Sequence, residues 1–342
     1  MRWDNLRIEN EDEHRLPGYR DPAVVRRFDA PEALDIRFYE VHAKSALNQV
    51  PKASRMPFRW TINPYRGCSH ACAYCFARPT HTYLDLNAGR DFEREIVVKV
   101  NVPEVLRKEL AKPSWRGEHV ALGTNTDPYQ WVEGRYKLMP GIWEAFRDFR
   151  NPCSVLTKSP LLLRDLPLLK EIAEVAPISA NFSVPTLDEK AWRATEPHTP
   201  NPRARLEAVA ELNRAGIPTG ILIAPLMPGI NDAPEQVEKI LEIASEAGAV
   251  SVGGIALHLR GEVRDIFFEW LRTHRPDLVP RYEQLYRRGA YMSSAERQRL
   301  QDLATPPGWP SSPRRYIRDR DRASPPKEQK AGPAPLSQPA LF

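Results

Sequence analysis

The sequence lacks a hydrophobic segment long enough to cross a membrane. No run of 18 or more apolar residues occurs in the 342-residue chain, whereas a membrane-spanning helix needs about 20. Residues 1–20 are charged throughout and contain no hydrophobic stretch of the kind that a secretory signal requires. We therefore expect a cytoplasmic protein with no membrane partner.

Cysteine is also scarce, and its distribution is uneven. Four cysteines in a chain of this length are too few for a disulfide framework. Three of them, Cys68, Cys72 and Cys75, lie within eight residues, which is too close for comfortable mutual disulfide pairing. Metal ligation is the natural interpretation of these three thiols.

Net charge is small outside one segment. The chain carries a formal charge of +5, but residues 305–342 contain seven Lys or Arg against three Asp or Glu. The remainder is close to neutral, so the electrostatic indication of a nucleic-acid partner is weak and depends on that segment.

The composition is that of an ordinary globular protein, with 42% hydrophobic and 27% charged residues. We expect one main catalytic domain over residues 56–264, preceded by an N-terminal extension over residues 1–55. A helical cover is expected over residues 265–304. Residues 305–342 hold nine prolines and few large apolar side chains, so they are predicted to form a basic disordered tail.

Short β-rich runs alternate with helical patterns through the main domain, which is the signature of βα units that build a parallel sheet. The pattern predicts an α/β fold, a partial (βα)6 TIM-like barrel with mostly parallel strands, followed by C-terminal helices and the disordered tail. Strands are predicted at residues 58–63, 96–100, 119–123, 154–157, 178–184, 219–225 and 250–257. Helices are predicted at residues 103–111, 142–149, 161–175, 203–215, 234–247, 266–273, 280–287 and 295–303.

The three clustered cysteines have the spacing C-x3-C-x2-C and follow the first predicted strand. A cubane iron–sulfur cluster has four irons, so three thiolates leave one iron open to a substrate or cofactor. The fourth cysteine, Cys153, opens a predicted strand far along the chain, where a small buried apolar residue is typical. A zinc site made by the three cysteines with His70 or His81 is the main alternative, although paired C-x2-C knuckles are absent.

The cysteine motif resembles the hallmark of the radical S-adenosylmethionine superfamily, which has the same spacing and an aromatic residue before the third cysteine, here Tyr74. The resemblance implies a [4Fe-4S] cluster held by Cys68, Cys72 and Cys75, with S-adenosyl-L-methionine bound at the open iron. It further implies that one electron from an external reductant cleaves the cofactor to methionine and a 5′-deoxyadenosyl radical, which abstracts hydrogen from a substrate.

Four phrases resemble the branch of this superfamily that includes spore photoproduct lyase and proteins described as DNA repair photolyase-like. Each phrase lies at the C-terminal end of a predicted strand, and this rim is where βα barrels place their sites. The phrases are Asn63-Pro-Tyr-Arg-Gly-Cys68, Gly123-Thr-Asn-Thr-Asp127-Pro-Tyr-Gln130, Leu156-Thr-Lys158-Ser and Pro225-Leu-Met-Pro-Gly-Ile-Asn-Asp232.

This closer resemblance implies that Thr126, Lys158 and Ser183 contact the amino-acid and ribose parts of S-adenosylmethionine. The backbone of Tyr74 is expected beside the adenine. Taken without the resemblance, Asp127 starts a plausible Asx turn, Ser183 is a strand residue and Lys158 is a solvated charge at the rim.

Arg203, Arg205, His258 and Arg260 are further rim candidates, because guanidinium groups suit an anionic substrate. A polar helix N-terminus explains Arg203 and Arg205 equally well.

One position departs from the branch. Spore photoproduct lyase has a hydrogen-donating cysteine three residues before the aspartate that matches Asp127, and that position is Thr124 here. A hydroxyl cannot replace a thiol as hydrogen donor because its O–H bond is too strong. The resemblance therefore covers the initiation step, and three alternatives stay open: action on nucleic acid in DNA repair or modification, modification of a protein or small molecule, or a non-enzymatic metal-binding module.

The last five residues, from Gln338 to Phe342, resemble the Q-x-x-L-F peptide by which bacterial repair and replication proteins dock on the sliding clamp. Pro339 departs from the usual leucine of that peptide. Such a peptide binds through two apolar anchors at its end. The resemblance implies a sliding clamp as partner, and with it proximity to DNA.

Overall fold

The structure, a computed structural model, describes residues 8–14, 23–33, 35–51, 53–54, 56–305 and 309. Most of the predicted tail, including the clamp-like peptide from Gln338 to Phe342, lies outside these residues. Among the described residues no helix is both long and apolar enough to span a membrane.

Twelve strands and eleven α-helices are found in the described ranges. The strands are β1 Ile8–His14, β2 Ala23–Phe28, β3 Arg37–Val41, β4 Asn48–Gln49, β5 Trp60–Ile62, β6 Tyr65–Arg66, β7 Glu95–Lys99, β8 Val120–Leu122, β9 Cys153–Thr157, β10 Ile178–Ser183, β11 Thr219–Leu226 and β12 Val252–Ala256. The helices are α1 Arg90–Arg94, α2 Val102–Leu110, α3 Glu133–Tyr136, α4 Leu138–Asp148, α5 Leu166–Val175, α6 Glu189–Thr195, α7 Pro202–Arg214, α8 Pro234–Glu246, α9 Val263–His274, α10 Val279–Leu285 and α11 Ser294–Leu303.

Six parallel strands form the main sheet, in the order β12-β11-β10-β9-β8-β5, and β4 adds an antiparallel edge beside β5. All three residues of β8 are buried, as expected for a parallel strand with both faces covered. Helices α4, α5, α7 and α8 connect successive strands from β8 to β12. The predicted partial (βα)6 barrel with mostly parallel strands is confirmed, and so are helices after it.

A second sheet packs beside the barrel, in the order β1-β2-β3-β7-β6. The sequence counted residues 96–100 among the barrel strands, and this assignment was wrong. Strand β7 pairs in parallel with β3 and antiparallel with β6. The reason is apolar packing, since Phe38 of β3 buries its ring in one cluster with Ile96 and Val98 of β7. The residues of the predicted N-terminal extension form β1 to β3 of this second sheet and β4 at the edge of the main sheet.

The connecting helices bury one apolar face, and local signals set where they begin. In α4, Leu138, Ile142, Ala145 and Phe146 recur at helical spacing and are all buried. Helix α7 begins at Pro202, and the side chain of Asn201 accepts a hydrogen bond from the backbone amide of Arg203.

Gly123 follows β8 and brings the chain very close to β9. Its φ is +73°, and a Cβ added there would lie 1.8 Å from the carbonyl oxygen of Leu156. Glycine is required both by the left-handed backbone and by the close approach.

We predict that Gly123→Ala lowers the free energy of unfolding by about 2–4 kcal/mol, since strain and a clash add together. Gly216→Ala is the matched control, because Gly216 has φ +84° and nothing within 4 Å of an added Cβ; it should lose only about 1 kcal/mol. Urea unfolding of both variants measures the difference. Equal losses would show that the contact with Leu156 is irrelevant.

Candidate functional site

A cavity of about 210 Å³ opens at the C-terminal ends of the barrel strands. Its walls come from the cysteine loop and from the ends of β8, β9, β10, β11 and β12. Those walls are formed by Cys68, His70, Cys72, Tyr74, Cys75, Phe76, Gly123, Asn125, Thr126, Asp127, Leu156, Thr157, Lys158, Ser183, Leu222, Ala224, Pro225, Ile255, Ala256, Leu257 and His258.

The cavity brings together all seven residues that the sequence singled out as site residues: Cys68, Cys72, Cys75, Tyr74, Thr126, Lys158 and Ser183. Their individual roles stay predictions. A larger surface depression of about 350 Å³ lies on the second sheet, where it is lined by Arg, Asp and Glu side chains only. It holds no thiol, so the smaller cavity is the candidate for the chemistry.

Backbone hydrogen bonds shape the cysteine loop. The amide of Cys68 donates to the carbonyl of Phe92 at 2.9 Å, and the amide of Ala73 donates to Thr195 at 2.9 Å. Within the loop, the amide of Cys75 donates to the carbonyl of Cys72 at 3.2 Å. The loop is thus held by backbone hydrogen bonds to α1 and to the end of α6.

The buried side chain of Arg78 fastens the same loop from inside. Its guanidinium donates to the carbonyl of Cys72 from Nε at 3.1 Å and from a terminal nitrogen at 2.9 Å, and to that of Ala71 at 3.2 Å. It also pairs with Glu93. Because a buried guanidinium needs acceptors for its five N–H groups, these carbonyls are held in fixed positions.

The thiols have the chemistry of a cluster-binding set. All are free, and burial is the main cause that raises the pKa of Cys68, to about 12. Each thiol therefore carries its proton at neutral pH until a metal displaces it. In the described part of the chain, no three His, Cys, Asp or Glu side chains converge on a single ion position. A cubane does not need such convergence, since each thiolate binds a different iron.

The other candidate ligands lie apart from this set or are already engaged. Cys153 is buried at the first residue of β9, the end of the strand away from the cavity. His81 has its Nε2 2.9 Å from the carbonyl oxygen of Glu95 and does not line the cavity. His70 does line it, with Nδ1 3.5 Å from a carboxylate oxygen of Asp127. Burial lowers the pKa of His70, which favours the neutral ring.

Asp127 ties the loop after β8 to the end of β9. One carboxylate oxygen accepts from the amide of Tyr129 at 2.9 Å, the Asx turn that the sequence indicated. The same oxygen accepts from the hydroxyl of Thr157 at 2.7 Å, and the other accepts from the amide of Lys158 at 2.7 Å. Asp127 therefore holds the backbone from which Lys158 extends.

Thr126 and Gln130 link that loop to the cysteine side of the cavity. The hydroxyl of Thr126 donates to the carbonyl of Tyr65 at 2.9 Å. The side-chain amide of Gln130 accepts from the amide of Ser69 at 2.9 Å and donates to the carbonyl of Gly67 at 3.1 Å. No role was predicted for Gln130 from the sequence, although it belongs to one of the phrases that carry the resemblance.

Lys158 is not the solvated rim charge that one interpretation of the sequence offered. Its side chain is only 15% exposed, and Nζ lies 2.8 Å from a carboxylate oxygen of Glu196. The same Nζ donates to the hydroxyl of Ser183 at 2.7 Å and lies 5.7 Å from the centre of the Tyr74 ring. Three of the predicted site residues therefore meet at one fixed ammonium group.

Glu196 is the residue that sequence reasoning missed. It is fully buried, accepts from Arg205 at 2.7 Å and from the hydroxyl of Tyr74, and balances both Arg205 and Lys158. Burial acts to raise the pKa of Glu196, but the two cations outweigh it and lower the pKa to about 2. It lies in the loop after α6 among prolines, where no periodic pattern distinguishes it.

The four rim candidates differ in where they lie relative to the cavity. Arg205 is buried beneath the cavity and donates to the carbonyl of Ser183 at 2.8 Å, so it supports the site from behind. Arg203 is exposed near the start of α7, where only its backbone amide is capped. His258 lines the cavity and Arg260 is exposed beside it.

We predict that Glu196→Gln lowers the free energy of unfolding by about 3–5 kcal/mol, because Arg205 and Lys158 are left buried without a counter-charge. The double variant with Arg205→Met should lose clearly less than the sum of the two single variants. Urea unfolding of the four proteins measures this coupling. Additive losses would mean that the two side chains do not stabilise each other.

Comparisons with known proteins agree with this architecture. The family model of the radical SAM superfamily matches residues 62–244. An uncharacterized protein of Mycobacterium tuberculosis is 48% identical over 310 residues, covering 90% of this chain and 91% of that protein. The radical SAM Nalpha-GlyT isomerase of Pseudomonas phage M6 is 30% identical over 172 residues, covering 49% of this chain and 33% of the phage protein.

Among solved structures, spore photoproduct lyase complexed with dinucleoside spore photoproduct has a similar fold. The TM-score is 0.56 with 16% sequence identity, covering 82% of this chain and 79% of the lyase. An identity of 16% shows a similar fold only, whereas membership of the superfamily rests on the family model. The chain belongs to the radical SAM superfamily, whose members use a [4Fe-4S] cluster and S-adenosylmethionine.

Proposed function

We propose that this protein cleaves S-adenosylmethionine reductively at a [4Fe-4S] cluster held by Cys68, Cys72 and Cys75, and that the radical chemistry acts on nucleic acid. The observation that carries the proposal is the meeting of three free thiols and a fixed ammonium in one cavity at the barrel's C-terminal end. When bound, the cluster supplies an electron and an open iron for the cofactor.

The chain's own residues bind and orient the cofactor. Lys158 donates to its carboxylate, since Nζ has a third proton beyond those given to Glu196 and Ser183. The hydroxyl oxygen of Ser183 accepts a hydrogen bond from a ribose hydroxyl of the cofactor. Thr126 gives its own proton to the carbonyl of Tyr65, so its oxygen is left as an acceptor for the cofactor's amino group. Apolar strand ends and the Tyr74 backbone face the adenine.

The nucleic-acid target is supported by the solved lyase of similar fold, which holds a dinucleoside spore photoproduct. Thr124 stands where the lyase has its hydrogen-donating cysteine, so this chain does not return hydrogen from that position. We therefore propose repair or modification of DNA other than thymine-dimer reversal by that route.

Two partners belong to the proposal. An external one-electron reductant is required for cofactor cleavage. The peptide from Gln338 to Phe342 would dock on a sliding clamp and bring the enzyme to DNA, with the basic tail adding attraction to phosphates.

We predict that Cys72→Ala abolishes cluster binding and 5′-deoxyadenosine formation, because two thiolates cannot hold the cubane against solvent. Cys153→Ala is the control, since Cys153 is buried away from the cavity; it should keep both. Iron content and product yield are measured after anaerobic reconstitution with dithionite. Undiminished 5′-deoxyadenosine from Cys72→Ala would refute the mechanism.

We also predict that removal of residues 311–342 weakens DNA binding and flattens its salt dependence, since all seven Lys and Arg of the tail lie there. This truncation keeps Trp309, which packs against the barrel core. Fluorescence anisotropy over a series of salt concentrations measures the slope. If the full chain binds no DNA at low salt, the substrate is a protein or a small molecule instead.

A further inference from the structure

Exposed apolar side chains gather at the mouth of the cavity. Among the described residues six large hydrophobic side chains are exposed, and three of them belong to this region: Phe76 at 54%, Ile255 at 48% and Tyr291 at 39%. Phe76 and Ile255 line the cavity itself. Exposed apolar side chains cost free energy in water, so their concentration at one opening marks an interaction surface.

Three rings form a continuous row outward from the cavity. The ring centres of Phe76 and His258 lie 5.9 Å apart, and those of His258 and Tyr291 lie 5.8 Å apart. A backbone bridge between His258 and Tyr291 fixes the outer pair. We refer to Phe76, His258 and Tyr291 as the aromatic row. It begins directly after Cys75, so its inner end belongs to the cysteine loop.

Two guanidinium groups flank the outer ring. Arg260 lies 5.0 Å and Arg297 lies 5.8 Å from the centre of the Tyr291 ring. In the described part of the chain neither has a carboxylate partner within 4.0 Å, and both remain available to an anion. Burial, and next the charge of Arg260, lower the pKa of His258, so its ring is neutral at pH 7.

We propose that the aromatic row binds unpaired nucleobases of single-stranded or locally opened nucleic acid, with Arg260 and Arg297 on the adjacent phosphates. This inference rests on the nucleic-acid part of the proposed function and names its substrate form. It assigns Phe76 to the nucleobase nearest the cavity and Tyr291 to the next base outward.

The physical reason lies in access to the reacting atom. A base inside a duplex is stacked on both faces, so an enzyme that abstracts hydrogen inside a cavity must take the target nucleotide out of the stack. Aromatic rings repay part of the lost stacking and accept any base, since every base has a π-face. Among the described residues Arg260 and Arg297 have no carboxylate partner, so they suit a polyanion, whereas a neutral or basic peptide offers them no anionic group.

The test compares a short oligothymidylate with an abasic oligonucleotide of the same length, which keeps the phosphates and lacks the bases. Binding to the reconstituted holoenzyme is measured anaerobically by fluorescence anisotropy. Tyr291→Ala should weaken binding of oligothymidylate about tenfold and leave the abasic strand unchanged. Tyr291→Phe keeps the ring and should bind like the wild type.

A charge variant and a matched aromatic control complete the design. Arg260→Ala should weaken both strands and reduce the salt slope by about one. Tyr83→Ala is the control, since Tyr83 is 78% exposed but does not line the cavity; it should bind like the wild type. Iron content of each variant reports whether the loop has folded around its cluster.

The outcomes separate this inference from the proposed function. Equal affinity of the wild type for the two strands, or no effect of Tyr291→Ala, would overturn the stacking role while 5′-deoxyadenosine formation still supports the initiation chemistry. If the wild type forms 5′-deoxyadenosine but binds no oligonucleotide, both the role of the aromatic row and the nucleic-acid target are overturned. Base-dependent binding that needs Tyr291, in a protein that forms no 5′-deoxyadenosine, would support the row and refute the proposed reaction.

Discussion

An ionised carboxylate buried beneath the cavity is the constraint on which the rest of the site depends. Glu196 has no contact with solvent, and it stays charged because Arg205 and Lys158 stand against its two oxygens. Burying such a group is costly unless every charge is paired and hydrogen-bonded. The same carboxylate accepts from Tyr74, so the cysteine loop, the end of β9 and the start of α7 are joined at one point.

The barrel turns this local arrangement into a site. Parallel strands end at the same edge, and Asp127 and Ser183 connect neighbouring strand ends by hydrogen bonds to Lys158. Arg78 holds the cysteine loop through hydrogen bonds to the backbone carbonyls of Ala71 and Cys72. The residues that face a cofactor are therefore supported by others that do not, and a rigid cavity is the result.

The sequence predicted the barrel and the position of its cavity because both have one-dimensional signals. Short β-rich runs that end in polar phrases mark the strand ends, and the three cysteines have the spacing C-x3-C-x2-C. Strand β7 was recognised as a strand but assigned to the wrong sheet, since its partner is decided by packing against Phe38 in a segment without clear periodicity. Glu196 could not be found, because its importance comes from residues that only the fold brings near. Exposure of Phe76 and Tyr291 is likewise invisible in a sequence, where aromatic residues are expected in the core.

The central claim is that the protein holds a [4Fe-4S] cluster in which one iron has no protein ligand. Electron paramagnetic resonance of the reduced cluster tests this most directly. The anaerobically reconstituted, dithionite-reduced protein is measured with and without S-adenosylmethionine. The account predicts a [4Fe-4S] signal whose g values shift when the cofactor is added, because the cofactor binds the open iron. A cluster signal that the cofactor leaves unchanged, or a protein that binds zinc and no iron, would contradict it.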